Sequence, residues 1–271
     1  MNYKRLSPAF SMIELVFVIT ILGIVASIGA EMIAKVYESY IVQRAEHRAT
    51  MKTELAATQI ANRLSFAIPG TVVRRITTTG AIEDINDAMT LDPTGNSYTV
   101  LQWVASDSDS FNAYDNINQK VGWSGFCDID ISTTDTLETP GSDLSMTNTI
   151  KQNLGSANNF AVYFPYDTTA YFGSGTTNTI TLDNNASHIV EQYKLAWTSY
   201  ALVVTGGDLY LHYNFAPIRG INVGNTRSLI MKNISTFKFK GAGRTIRFKI
   251  CKEERIGDDL NISACKEKAV F

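Results

Sequence analysis

Residues 10–30 form an apolar run in which Glu14 is the only charge, with Lys4 and Arg5 just before it. Wound as a helix at 1.5 Å per residue, the run is roughly 31 Å long and crosses a bilayer once. Ser7 followed by Pro8 predicts the start, because a hydroxyl can cap the first free N–H groups and proline fits the first helical position. After residue 30 charged positions enter, yet no stop signal occurs before Ile68-Pro69-Gly70, where the residue preceding proline is pushed out of helical geometry. One helix over about residues 8–68 is predicted. Ala57, Ile60, Ala61, Leu64 and Ile68 recur on one face, while Arg44, Arg48, Lys52 and Glu54 take other positions. That stripe should pack on a following domain.

From residue 71 onward the pattern changes to short β-branched and aromatic runs separated by Thr, Ser, Asn, Asp and Gly. Residues 194–204 and 209–215 flank Gly206-Gly207, a pair that accepts positive φ at both turn positions and so predicts a tight hairpin. A second hairpin is predicted from residues 235–240 and 244–251, around Gly241-Ala242-Gly243. Residues 98–104 and 160–164 are further strand candidates, and residues 107–118 and 132–159 read as long surface loops. The fold class is therefore α+β: a long N-terminal helix, transmembrane and then amphipathic, packed on a mostly antiparallel β head over residues 71–271.

Composition excludes disorder, since 45% of the 271 residues are hydrophobic. The net charge of -2 hides a segregation: residues 70–218 carry 5 Lys and Arg against 16 Asp and Glu, and residues 219–271 carry 12 against 5. Local balances of -11 and +7 point to oriented contact with a partner. Cys127, Cys251 and Cys265 allow three single pairings, and none sits in a zinc-ligand spacing. His47, His188 and His212 are scattered, and no nucleophile elbow, HExxH helix or phosphate loop occurs. Asp107-Ser108-Asp109 begins like an acidic cation loop but lacks the glycine and distal glutamate of an EF-hand. No catalytic residue, metal ligand or cofactor is assigned.

The N-terminus admits two readings. A basic segment, an apolar core and the small residues Gly29-Ala30 fit a cleaved secretory signal, and with it a secreted protein or enzyme. Against this, the run is long for such a core and it carries a carboxylate, which costs about 2.5–3.5 kcal/mol at mid-membrane on an insertion scale. A buried anion needs a cation or hydrogen-bond partner.

The stretch Ala9-Phe10-Ser11-Met12-Ile13-Glu14-Leu15, continuing Val16-Phe17-Val18-Ile19-Thr20-Ile21-Leu22-Gly23-Ile24, resembles the cleavage and methylation motif of type IV prepilins and pseudopilins. The resemblance covers about 20 residues. It implies a leader over residues 1–9, removed by a prepilin peptidase between Ala9 and Phe10, and N-methylation of Phe10. Ala9 departs from the glycine usual before the cut. It implies a transmembrane and assembly helix over residues 10–30, an amphipathic continuation over 31–68, and a role for Glu14 in setting register against the Phe10 amine of a neighbouring subunit. Gly23 falls where the family commonly has glycine in its packed helices. The expected setting is the bacterial inner membrane, with the head in the periplasm and partners that are other pilin or pseudopilin subunits.

Closure of the short segment between Cys251 and Cys265 resembles the disulfide-closed C-terminal region of many pilins, which implies that pairing and leaves Cys127 free. Residues 229–237 loosely resemble the larger minor pseudopilins found at filament tips. Asn185 and Asn261 lie in acidic-extended Asn-x-Ser sequons that some bacterial glycosylation systems use. A nucleic-acid-binding tip is the alternative, on the basic residues Arg244, Arg247, Lys249 and Lys252 near Phe237, Phe239 and Phe248.

Overall fold

A computed structural model describes residues 11–87, 98–256 and 260–271. The long helix runs over Met12–Leu64. Ser11, in extended geometry, caps it by accepting a hydrogen bond on its side chain from the Glu14 N–H at 3.3 Å. The start expected at Ser7-Pro8 lies outside the described residues. At the other end the helix stops four residues before Ile68, because the next segment is drawn into a sheet: Ile68 N–H donates to Val104 O at 2.9 Å, and Ala67 bridges Ala105.

Four antiparallel sheets follow among the described residues, the smallest pairing Tyr114–Asp115 with Lys120–Val121, so the α+β class is as expected. The largest has six strands in the order Arg227–Met231, Asp208–Phe215, Thr198–Thr205, Val100–Ala105, Val73–Arg75 and Glu83–Asp84. The second has five, in the order Lys194–Ala196, Phe160–Tyr163, Tyr171–Ser174, Thr179–Leu182 and Thr136–Glu138. The third joins Ile234–Ala242, Thr245–Ile256 and Leu260–Val270. The Gly206-Gly207 turn has φ of 61° and 80°, the left-handed pair that a two-residue hairpin needs. The second predicted hairpin turns at Gly243, with Ala242 opposite Thr245, while Gly241 lies within its strand, where an added Cβ would meet Ile85 and Asn86.

Three expectations are corrected. The run over residues 194–204 is two strands: at Trp197 the chain leaves its partner Phe160–Tyr163 in the second sheet and pairs with Val100–Ala105 in the first. Residues 132–159 are not one loop, because they contain the strand Thr136–Glu138 and the helix Leu144–Asn153, which Asp143 caps through Ser145 N–H. Likewise residues 107–118 contain the short helix Ser108–Asn112, capped by Asp107.

The main core lies where the second half of the long helix meets the first and third sheets. Ala56, Ala57, Ile60 and Leu64 pack with Leu101, Trp103 and Leu202 from one sheet and Phe237, Phe239, Phe248 and Ile250 from the other. A second core, with Trp123, Leu137, Leu144, Phe160 and Ile180, supports the five-stranded sheet. The expected stripe is therefore the docking face, with Ala61 at its margin and Ile68 passed to a separate cluster with Val104 and Tyr163.

Candidate functional site: the projecting helix and its seam with the head

The first fully buried residue of the helix is Ala49, and residues 12–41, exposed but for the half-buried Gly29, span about 45 Å. This is the one helix among the described residues that is long and apolar enough to cross a membrane, and none of its most apolar 18-residue stretch is buried within the chain. Phe17, Leu22 and Ile24 are each more than 60% exposed, a continuous apolar surface far beyond what a monomer in water presents. Glu14 sits in the first turn of this surface. No ion pair joins it to another described residue. Thr20 returns its hydroxyl to Val16 O and Phe17 O at 3.0 and 2.9 Å, which hides its polar group inside the apolar stretch.

Gly23 lies in mid-helix with nothing within 4 Å of a Cβ added there. Glycine costs a helix interior about 1 kcal/mol relative to alanine. No contact with another described residue accounts for that cost at Gly23. Just past the apolar run, Glu31 and Lys35 form an exposed i,i+4 pair at 2.8 Å.

Lower on the helix, polar contacts lock it to the last strand. Glu54 accepts from Lys266 at 2.6 Å and from Lys268 at 2.9 Å, and Lys268 also donates to Thr58 Oγ1 at 2.8 Å. Thr53 donates to Ala49 O at 2.8 Å and lies 3.4 Å from Ala264 O. The hydrogen bonds from Lys266 and then Lys268 pull the Glu54 carboxyl down to about 2 from its ordinary 4.5. A depressed folded-state value means that this stabilisation is present above pH 4.5 and is lost as the pH falls towards 2. Thermal melts of wild type and Glu54→Gln should therefore converge across that window. Curves that stay parallel would show that the ion pairs contribute nothing to the seam.

Cys251 and Cys265 face each other across the last two strands and are joined, with Cα atoms 4.0 Å apart. The bond fastens the strand that carries Lys266 and Lys268. Cys127 is a buried free thiol, raised by desolvation. Ala9 and Phe10 lie outside the described residues. Asn185 is exposed in a loop, and Asn261 is exposed on the last strand, with Asp259 of its sequon outside the described residues. These sites are not brought together with Glu14 or Gly23.

The histidines stay apart: His212 is buried with Nδ1 2.6 Å from Gly224 O, and His188 stacks near Phe164. Asp107 is buried and bonds Ser110 N–H as a helix cap, so its place in the acidic cluster is structural. Sequence reasoning missed the Glu54–Lys266–Lys268 seam, whose only signal was the basic character of the last strand. No protein-family model matches the chain, and neither a curated protein nor a solved structure is detectably similar to it.

Proposed function

We propose that the chain is a minor pilin or pseudopilin, a subunit that assembles through its N-terminal helix into a type IV pilus-like or type II secretion filament, at or near the tip. The observation that carries this reading is a helix whose second half is buried on its own head while its first half offers an unburied apolar surface. Such a surface needs lipid before assembly and other helices after it. Gly23 supports the second environment, since a glycine without an intrachain neighbour lets a helix from another subunit approach closely. Glu14 supports a specific register, because a carboxylate inside an apolar bundle needs a cation, and the Phe10 amine of a neighbour supplies one.

In this reading a prepilin peptidase removes residues 1–9, the helix holds the chain in the inner membrane with its head in the periplasm, and the work is assembly and not catalysis. The size of the head and its irregular connections favour a low-abundance position over a shaft that must pack many identical heads. Intact mass and N-terminal sequencing of the membrane-bound protein test it. A mature chain that begins at Phe10, about one methyl group heavier than the bare sequence, is expected. A chain that begins at residue 31 would return the protein to the secreted class.

The nucleic-acid reading loses its stacking surface, because Phe237, Phe239 and Phe248 all point into the core. Lys252 is buried as well and bonds Glu254 at 2.8 Å.

A further inference from the structure

A groove of about 1060 Å³ opens in the head, between the end of the long helix, the edge of the five-stranded sheet and the tip of the hairpin at Gly243. Phe111 and Trp123 form one wall, with ring centroids 4.8 Å apart, and Trp123 continues to Tyr193 at 5.7 Å. Gly125, at φ +83°, runs against these rings, where an added Cβ would sit 3.4 Å from Phe111 and 3.5 Å from Trp123. Four rings on the lining remain open to solvent: Phe66 at 43%, Phe111 at 45%, Phe126 at 42% and Tyr166 at 96%. Tyr166 holds its ring out from a left-handed backbone, φ 64°.

Two cations stand at the same groove, Lys194 from the sheet edge and Arg244 from the hairpin tip. Neither has an ion-pair partner among the described residues. The Lys194 amine is lowered by desolvation and then by Arg244, so the two positive charges lie within reach of one another. Glu191 also lines the groove, so the lining carries two cations and one carboxylate and keeps a positive balance. The groove therefore has an aromatic stretch and a cationic end.

We infer that this groove docks an extended acidic peptide segment of another protein, with apolar side chains set among the exposed rings and a carboxylate held by Lys194 and Arg244. The volume lies at the upper limit for small-molecule pockets, so a peptide segment fills it better than a compact ligand. Recognition must run through side chains: the backbone beside Lys194 is already paired, Tyr193 N–H to Gly125 O at 3.0 Å and Cys127 N–H to Glu191 O at 2.7 Å, which closes the edge to an added strand. An acidic oligosaccharide fits less well. Its many hydroxyls call for planar amide and carboxylate partners, and here Asn112, Gln192 and Glu191 alone supply such groups.

The test uses the full chain in lipid nanodiscs and a fluorescein-labelled ten-residue peptide of Glu, Pro and Phe, read by fluorescence polarisation against empty nanodiscs. Saturable binding is expected for this peptide and not for versions with Lys in place of Glu or Ser in place of Phe. Lys194→Glu and Arg244→Glu should each weaken binding about tenfold or more, and Phe126→Ser should weaken it while leaving the melting temperature near that of wild type. Lys194→Gln and Arg244→Gln give a milder pair should charge reversal disturb folding. No saturable binding to wild type, equal binding of the Lys-containing peptide, or indifference to all of these substitutions overturns the inference. Displacement of the peptide by trigalacturonate at lower concentration than by unlabelled peptide also overturns it, in favour of a glycan. The outcome is independent of the filament reading, which the mature N-terminus decides.

Discussion

Glu14→Ala is expected to leave insertion and leader removal intact while incorporation into a filament falls to a small fraction of wild type. The two steps respond with opposite sign because the carboxylate opposes entry into the bilayer and is needed only once a neighbouring amine is present. Glu14→Gln separates charge from shape, since the amide keeps most of the size and some hydrogen bonding but loses the ionic attraction. Both variants should fail to co-purify with other pilin-like subunits at matched membrane abundance. A tip subunit has neighbours on one side only, so incorporation must be quantified. Wild-type incorporation of both variants would remove Glu14 from the assembly mechanism.

Ile60→Ala should produce the largest loss of stability of any single truncation on the helix. Ile60 is 2% exposed at the meeting point of the helix with two sheets, so the deletion leaves a cavity that neither sheet can close alone. The expected cost is about 2–5 kcal/mol. Its signature is release of the helix from the head, read as protease cleavage between residues 49 and 64 under conditions in which wild type resists. A variant that melts and digests like wild type would mean that the helix is held chiefly by the Glu54 ion pairs.

Much of this architecture was legible in the sequence, for reasons that particular residues make plain. The stripe Ala57, Ile60, Ala61 and Leu64 announced a docked helix because its period matches 3.6 residues. Gly206-Gly207 announced a hairpin because few other pairs tolerate its backbone. The helix end at Leu64 was hidden, since the competing claim on Ala67 and Ile68 comes from residues 104 and 105, far along the chain. Helix Leu144–Asn153 was hidden too: its buried positions are Leu144, Thr147 and Lys151, and only one of them is apolar. The break at Trp197 left no local mark, because both halves of the run are equally strand-like and only their partners differ.

For the candidate site the division is similar. Glu14 and Gly23 stand out locally, as a charge and a glycine inside an apolar run. The groove could not be read in this way, since its aromatic wall is assembled from residues 111, 123 and 193 and its cationic end from residues 194 and 244. Pairings of that separation are decided by the completed fold.

The contact between Thr53 and Ala264 spans 211 residues, which joins the first element of the chain to its last strand. Synthesis is vectorial, so the helix emerges long before Lys266 and Lys268 exist to receive Glu54. At 5–20 residues per second that interval is roughly 10–40 s. Throughout it, Ala56, Ala57, Ile60 and Leu64 have only part of their eventual cover, while the apolar half of the same helix is ready for a bilayer from the start. Under the proposed membrane-held reading, chain direction sets the order of events: anchoring comes first and docking of the head onto its helix comes last. A chain truncated before Leu260 would keep its apolar helix but lack the strand that carries Lys266 and Lys268, and with it the rigid junction between helix and head.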